Sequence, residues 1–197
     1  MIVFARHGET APNREGLVLG RASDPELTEV GRDQAARLAG LLCREEPVAV
    51  LTSPLLRARE TAAAIAGACG LEAEIDERLV EIDWGTWEGR PVAGIGSAES
   101  ERLRAGGGAA PEGESLAVLT ARVEAFCADA WERDGLVVAV THVSPIKAAV
   151  ALTLGAPDDA AYRMFVALAS VTRIARRSRG PLLVSFNETA HLLGEAP

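Results

Sequence analysis

Short apolar runs punctuate the chain at Ile2 to Ala5, Val48 to Leu51, Leu136 to Val140, Val171 to Ala175 and Leu182 to Phe186. Runs this short and this hydrophobic read as strands buried within a sheet. A weaker strand is predicted at Leu71 to Ile75. Between the strands the apolar period becomes that of a helix. From Glu29 to about Cys43, the residues Ala35, Leu38, Leu41 and Leu42 share one face, and Thr28 is placed to cap the first turn. A second helix is predicted to start at Ser53-Pro54, with the serine as cap and the proline at the first helical position, and to end near Cys69 before Gly70. Ser115 introduces a third, to Trp131, with Leu116, Leu119, Val123, Phe126, Cys127 and Ala130 at helical spacing.

This alternation predicts an α/β fold: a three-layer sandwich with a mainly parallel sheet and helices on both faces. In such sheets, function collects just beyond the carboxyl ends of the strands. At 197 residues, 48% hydrophobic and 24% charged, the chain can bury one substantial core, and a single domain over residues 1–197 is predicted. Only the stretch Gly89 to Glu114, which includes Gly106-Gly107-Gly108, is weakly patterned, and it is read as a flap bordering the site.

A formal net charge of -8, with no run of Lys or Arg, argues against nucleic acid as a partner and against long-range capture of anions. Any phosphate must therefore be held by local groups. The opening MIVFARHGET has no cationic leader before a long apolar run, and no stretch approaches the roughly 20 apolar residues of a membrane span, so a cytoplasmic location without membrane association is expected. Cys43, Cys69 and Cys127 are odd in number and lie in helical patterns, and they read as reduced, partly buried small hydrophobes.

Candidate chemistry stands at the strand ends. The first strand runs into Arg6-His7-Gly8-Glu9-Thr10, which sets a fixed cation beside an imidazole, and Gly8 is expected to let the backbone turn. His142 occupies the equivalent place after Val137 to Val140, and Ser144-Pro145 then opens another helix. Arg57 lies in the first turn of the Ser53-Pro54 helix, and Glu81 lies in a loop after Leu71 to Ile75. Two guanidinium groups can clamp the oxygens of a phosphoryl group while a neutral imidazole attacks phosphorus. A metal site built from His7, His142 and Glu81 is the competing reading. The flanking Arg6 and Arg57 would repel a divalent ion, and the His-x-x-x-His spacing is missing, so no metal or organic cofactor is expected. His191 is read as tying down the C-terminal tail, and Trp84 and Trp87 as packing their loop.

Arg6-His7-Gly8-Glu9-Thr10 with Asn13 resembles the signature of the histidine phosphatase superfamily, in its phosphoglycerate-mutase-like branch. The resemblance continues in order through Leu27-Thr28, Gly31 and Gln34-Ala35, through Thr52-Ser53-Pro54, Arg57-Ala58 and Thr61-Ala62, and through Glu81, Trp84-Gly85 and Glu88-Gly89. Glu112 to Ser115, Thr141-His142 and Asn187 complete it. It implies that His7 is phosphorylated, that Arg6, Arg57 and His142 form the phosphate pocket, and that Glu81 donates the proton. It also implies substrate contacts from Asn13, Gly20 and Val143. Val143 stands where many members have glycine, although its amide can still donate, and Leu19 stands where a polar side chain is common.

The expected function is metal-independent hydrolysis of a small-molecule phosphomonoester through a phosphohistidine. The alternatives are a bisphosphate-dependent phosphoglycerate mutase, or a catalytically silent phosphate-binding or interaction module on the same scaffold. Gly89 to Glu114 carries only Arg90, Arg102 and Arg104 as cations and no tyrosine, which favours water over a retained bisphosphate. The resemblance also implies a homodimer as the expected assembly.

Overall fold

The computed structural model describes residues 1–96 and 109–193. Its six strands are β1 (Ile2–Arg6), β2 (Ala49–Thr52), β3 (Ala73–Ile75), β4 (Val137–Thr141), β5 (Val171–Arg177) and β6 (Gly180–Glu188). They form one sheet in the order β3-β2-β4-β1-β5-β6. The first four are mutually parallel, and β5 runs antiparallel to both β1 and β6. The helices are α1 (Ala11–Glu15), α2 (Glu29–Cys43), α3 (Leu56–Cys69), α4 (Leu116–Ala130) and α5 (Val143–Leu154). The predicted α/β sandwich is therefore the observed one, with an antiparallel hairpin added at one edge.

Side-chain alternation along β1 divides the core. Ile2 and Phe4 pack on one face with Leu119, Phe126 and Ile146 from α4 and α5, while Val3 and Ala5 pack on the other with Leu38, Ala62 and Ile65 from α2 and α3. Such two-sided burial explains why the central strands read as uninterrupted apolar runs. The predicted caps hold at Thr28, whose hydroxyl accepts from the Gly31 amide at 3.0 Å, and at Ser115, which accepts from Val118 at 3.3 Å. Gly70 ends α3 in the left-handed conformation, at φ 67°.

Some boundaries differ from the sequence reading. Strand β3 begins at Ala73 rather than Leu71, and β6 extends beyond Leu182 to Phe186 at both ends. Helix α3 begins at Leu56, so Ser53-Pro54 stands outside it. The carboxylate of Asp24 takes over the capping, accepting from the Leu56 amide at 2.6 Å, which frees Ser53 for another partner. Of the predicted flap, residues 97–108 lie outside the described residues. Its described flanks are tied down: the Val18 amide donates to Arg90 O at 2.8 Å, the Val92 amide to Gly16 O at 2.9 Å, and the Glu114 amide to Asp83 O at 2.8 Å.

All three thiols are free, and Cys127 is buried. Burial pushes Cys127 up to about 12, and burial together with neighbouring Cys43 pushes Cys69 up to about 11, which leaves both protonated and unreactive at neutral pH. Among the described residues, no helix is long and apolar enough to cross a membrane.

Candidate active site

The strand order brings the carboxyl ends of β2, β4 and β1 side by side. The last residue of β1, Arg6, pairs with Thr141 of β4, and the His7 amide donates to the Thr141 carbonyl at 3.0 Å. His7 and His142 thus leave adjacent strands together, with ring centroids 5.0 Å apart. The Ser53 amide donates to Val140 O at 3.0 Å, which brings the end of β2 to the same place.

His7 is 2% exposed, and its Nδ1 lies 2.7 Å from the Gly8 carbonyl. A carbonyl only accepts, so Nδ1 carries the hydrogen and Nε2 keeps a free lone pair. Burial above all, then the charges of Arg57 and Arg6, hold this imidazole well below its ordinary value of 6.5. It is neutral at physiological pH, as a nucleophile must be.

His142 is fully buried, and its Nε2 lies 2.7 Å from Ser53 Oγ. The Ser53 oxygen also accepts from the Leu55 amide at 3.3 Å and has its own hydrogen to give, and in the tautomer that completes an anion site it donates that hydrogen to His142 Nε2. The imidazole hydrogen then sits on Nδ1, which is buried and has no partner among the described residues. Burial, followed by Arg57, His7 and Arg6, lowers His142 well below 6.5.

The two arginines are anchored by carbonyls instead of carboxylates. Arg6 Nη1 donates to Val166 O at 2.7 Å, and Arg57 donates to Gly20 O at 2.8 Å and Ser23 O at 3.2 Å. The Nε of each is buried without a partner among the described residues. Burial lowers Arg6 to about 10 and lowers Arg57 as well, with Glu81 opposing both shifts. Two desolvated cations and three orphaned donors are costly unless an anion completes them.

The surrounding loops are built to hold this arrangement. Thr61 accepts from the Gly8 amide at 3.1 Å and donates to Arg57 O at 2.8 Å. Gln34 accepts from the Glu9 amide at 2.8 Å, and the Thr28 hydroxyl donates to the Glu9 carboxylate at 2.8 Å. Glu88 accepts from the amides of Arg21 and Ala22, each at 2.9 Å, which fixes the loop whose carbonyls grip Arg57. Gly8 plays a different part from the one expected, because it is absent from the glycines with positive φ. A Cβ there would instead lie 2.4 Å from the Gly31 carbonyl, so glycine is needed for the close approach of α2. Gly8→Ala is expected to cost about 1–3 kcal/mol of stability through overpacking, measured by chemical denaturation; an unchanged midpoint would contradict that reading.

Glu81 is 4% exposed, and its Oε1 accepts from Ile82 at 2.8 Å and from the Ser144 amide at 3.1 Å. Those bonds fix the carboxyl at the start of α5 and on the wall of a cavity of about 280 Å³. Arg6, His7, Asn13 and Val143 share that wall. Asn13 Oδ1 accepts from Thr10 N at 3.2 Å and Thr10 Oγ1 at 2.8 Å, leaving its NH₂ for a ligand. Val143 is the first helical residue after His142, so its amide is one of the orphan donors of that terminus.

Arg57 and His142 are fully buried and are not among the residues that line the cavity, and each acts electrostatically with His7, which does line it. Gly20 does not line the wall either; its carbonyl serves by holding Arg57, and a Cβ there would meet Glu88 Oε1 at 2.0 Å. Sequence reasoning missed Ser53 as the partner of His142, Glu88 as a loop anchor, and Tyr162, the chain's single tyrosine, as a wall residue. His191 donates to Ala169 O at 2.9 Å, in keeping with its role as a tail anchor. Trp84 and Trp87 stack with an interplanar angle of 10°, and both also line the cavity. Among the described residues, no three His, Cys, Asp or Glu side chains are grouped to hold a metal ion.

Comparison with known proteins fits this geometry. The sequence profile of the histidine phosphatase superfamily (branch 1) matches residues 2–189. A probable phosphoglycerate mutase, GpmB, of Yersinia enterocolitica is 32% identical over 97% of this chain and 94% of its own. Phosphoserine phosphatase 1 of Hydrogenobacter thermophilus is also 32% identical, over 97% and 93%. A crystal structure of a phosphoserine phosphatase from Entamoeba histolytica, in complex with 3-phosphoglyceric acid, superposes with a TM-score of 0.89 at 30% identity, covering 98% of each chain. With nearly its whole length matched and its strand-end histidines brought together, the chain belongs to the histidine phosphatase superfamily, branch 1.

Proposed function

We propose that the protein is a metal-independent phosphatase that hydrolyses a small phosphomonoester through a phosphohistidine on His7. One observation carries this reading: a neutral, buried imidazole feels the charges of Arg57 and Arg6 and lies 5.0 Å from the ring of His142, and each of these three residues has a buried nitrogen without a partner among the described residues. The dianionic phosphoryl group matches two guanidinium groups held by carbonyls rather than by direct ion pairs, and it supplies acceptors for Arg6 Nε, Arg57 Nε, His142 Nδ1, the Asn13 amide and the Val143 N–H.

His7 Nε2 attacks phosphorus as the bond to the leaving oxygen breaks, and the Glu81 carboxyl gives its proton to that oxygen. The Gly8 carbonyl, accepting from Nδ1–H, stabilises positive charge as it develops on the ring. In the second step Glu81 takes a proton from water, the water oxygen attacks phosphorus, the P–N bond breaks, and His7 is restored. Phosphoryl transfer of this kind asks chiefly for positioning and charge stabilisation, and the anchored arginines supply both.

Hydrolysis is favoured over mutase chemistry by the cavity wall. Arg6 is the one cation among the described residues that line it, so a second phosphate or carboxylate finds no further charge there. Metal independence is tested by assaying p-nitrophenyl phosphate hydrolysis after exhaustive chelation. The rate is expected to stay unchanged, whereas a loss restored by a divalent ion would contradict the proposal.

The buried histidines also set a pH signature. Both have folded-state values below the ordinary 6.5, so an unfolded chain binds more protons as pH drops past that point. Their contribution to stability is complete above 6.5 and is lost as pH falls through the folded values. The wild type is therefore expected to lose more stability between pH 6.5 and about 5 than His7→Ala does, measured by denaturant titration. Parallel curves for the two would contradict the shift at His7.

A further inference from the structure

Besides the groups that would hold a phosphoryl group, the cavity wall is of a different character. Apart from Arg6, His7, Asn13, Glu81 and Ser144, the described lining residues are apolar or aromatic, among them Leu17, Leu19, Trp84, Ile95, Val143 and Tyr162. These come from four separate parts of the chain: the loop before Gly20, the segment around Trp84, the described flank of the predicted flap, and the region about α5. Trp84 and Trp87 present parallel rings, and Trp87 is held rigid by burial against Val18 and Ala110. Burial raises Tyr162 above its ordinary value, so its ring presents a neutral phenol.

From this wall we infer that the protein selects phosphomonoesters of uncharged, apolar or aromatic alcohols over those whose alcohol carries a carboxylate. The inference rests on the phosphatase reading and narrows it to a substrate class. A leaving group seated here loses its water to an apolar surface, which is favourable for a ring or an alkyl chain. A carboxylate in the same place would be desolvated beside Glu81, and the one cation among the described residues that line the wall, Arg6, is already engaged by the phosphoryl group. The cavity of about 280 Å³ is close to the lower end of the size of small-molecule sites, which suits a compact ester.

The test compares kcat/KM for 2-phenylethyl phosphate, O-phosphoserine and 3-phosphoglycerate, all esters of alkyl alcohols, so that intrinsic leaving-group reactivity is not the main variable. Hydrolysis of p-nitrophenyl phosphate serves as the independent check on phosphatase activity. 2-Phenylethyl phosphate is expected to be favoured by about 100-fold over either carboxylate ester. Leu19→Lys, which sets a cation in the apolar wall, is expected to shrink that ratio at least about tenfold by lowering the first rate and raising the others. Equal or better turnover of phosphoserine or 3-phosphoglycerate, with p-nitrophenyl phosphate still hydrolysed, would overturn the inference and leave the phosphatase reading standing. Failure to hydrolyse any ester, p-nitrophenyl phosphate included, would overturn both.

Discussion

His7→Ala is expected to lower kcat/KM for any phosphomonoester by at least about 10⁴-fold, because it removes the atom that bonds to phosphorus and leaves no second nucleophile in place. The neighbouring imidazole is not expected to substitute: His142 Nε2 is committed to Ser53, and in the proposed mechanism its Nδ1 donates to phosphate. Phosphate affinity should survive within severalfold, since Arg6, Arg57 and His142 remain. Folding should survive too, because the substitution removes a buried polar ring whose one hydrogen bond among the described residues is to the adjacent Gly8 carbonyl. Steady-state assays with calorimetric phosphate binding separate these effects. Residual activity within tenfold of wild type would remove His7 from its role.

Glu81→Gln is expected to have the second-largest effect, and a selective one. Glutamine keeps an oxygen for the Ile82 and Ser144 amides, so the side chain stays in place while the transferable proton is lost. Alkyl esters leave as poor alkoxides and need that proton, so their rates should drop by about 10² to 10⁴-fold. p-Nitrophenyl phosphate leaves as a stabilised phenolate and should slow by less than about tenfold in the phosphorylation step. Burst kinetics isolate that step from breakdown of the intermediate. Equal slowing for both kinds of ester would mean that Glu81 serves binding or geometry alone.

The parts of this site legible in the sequence are those fixed by strand ends. Arg6, His7 and His142 follow apolar runs directly, so locating β1 and β4 located them, and the parallel pairing of those strands did the rest. Direction and order are less visible: nothing in Val171 to Ala175 or Leu182 to Phe186 says that β5 turns back against β1, since a buried strand reads the same either way. Ser53 was misread because serine before proline is equally suited to a helix cap and to a free hydroxyl. What decided between them was Asp24, brought to the helix start by a distant loop. Gly8 and Gly20 were noticed as glycines, but their reasons are tertiary, namely the approach of Gly31 and of Glu88. Tyr162 gave no local signal, because a cavity wall assembled from separate loops leaves no periodicity behind.

The central claim is a covalent bond between phosphorus and His7, and rapid quenching with ³²P-labelled substrate tests it most directly. The wild-type protein should retain label that is stable to alkali and released by acid, as a phosphoramidate requires, and peptide mapping should place it on His7. Glu81→Gln should accumulate more of it with p-nitrophenyl phosphate, because breakdown by water is slowed. An actively turning over enzyme that never carries label, or carries it on any residue other than His7, would contradict the account.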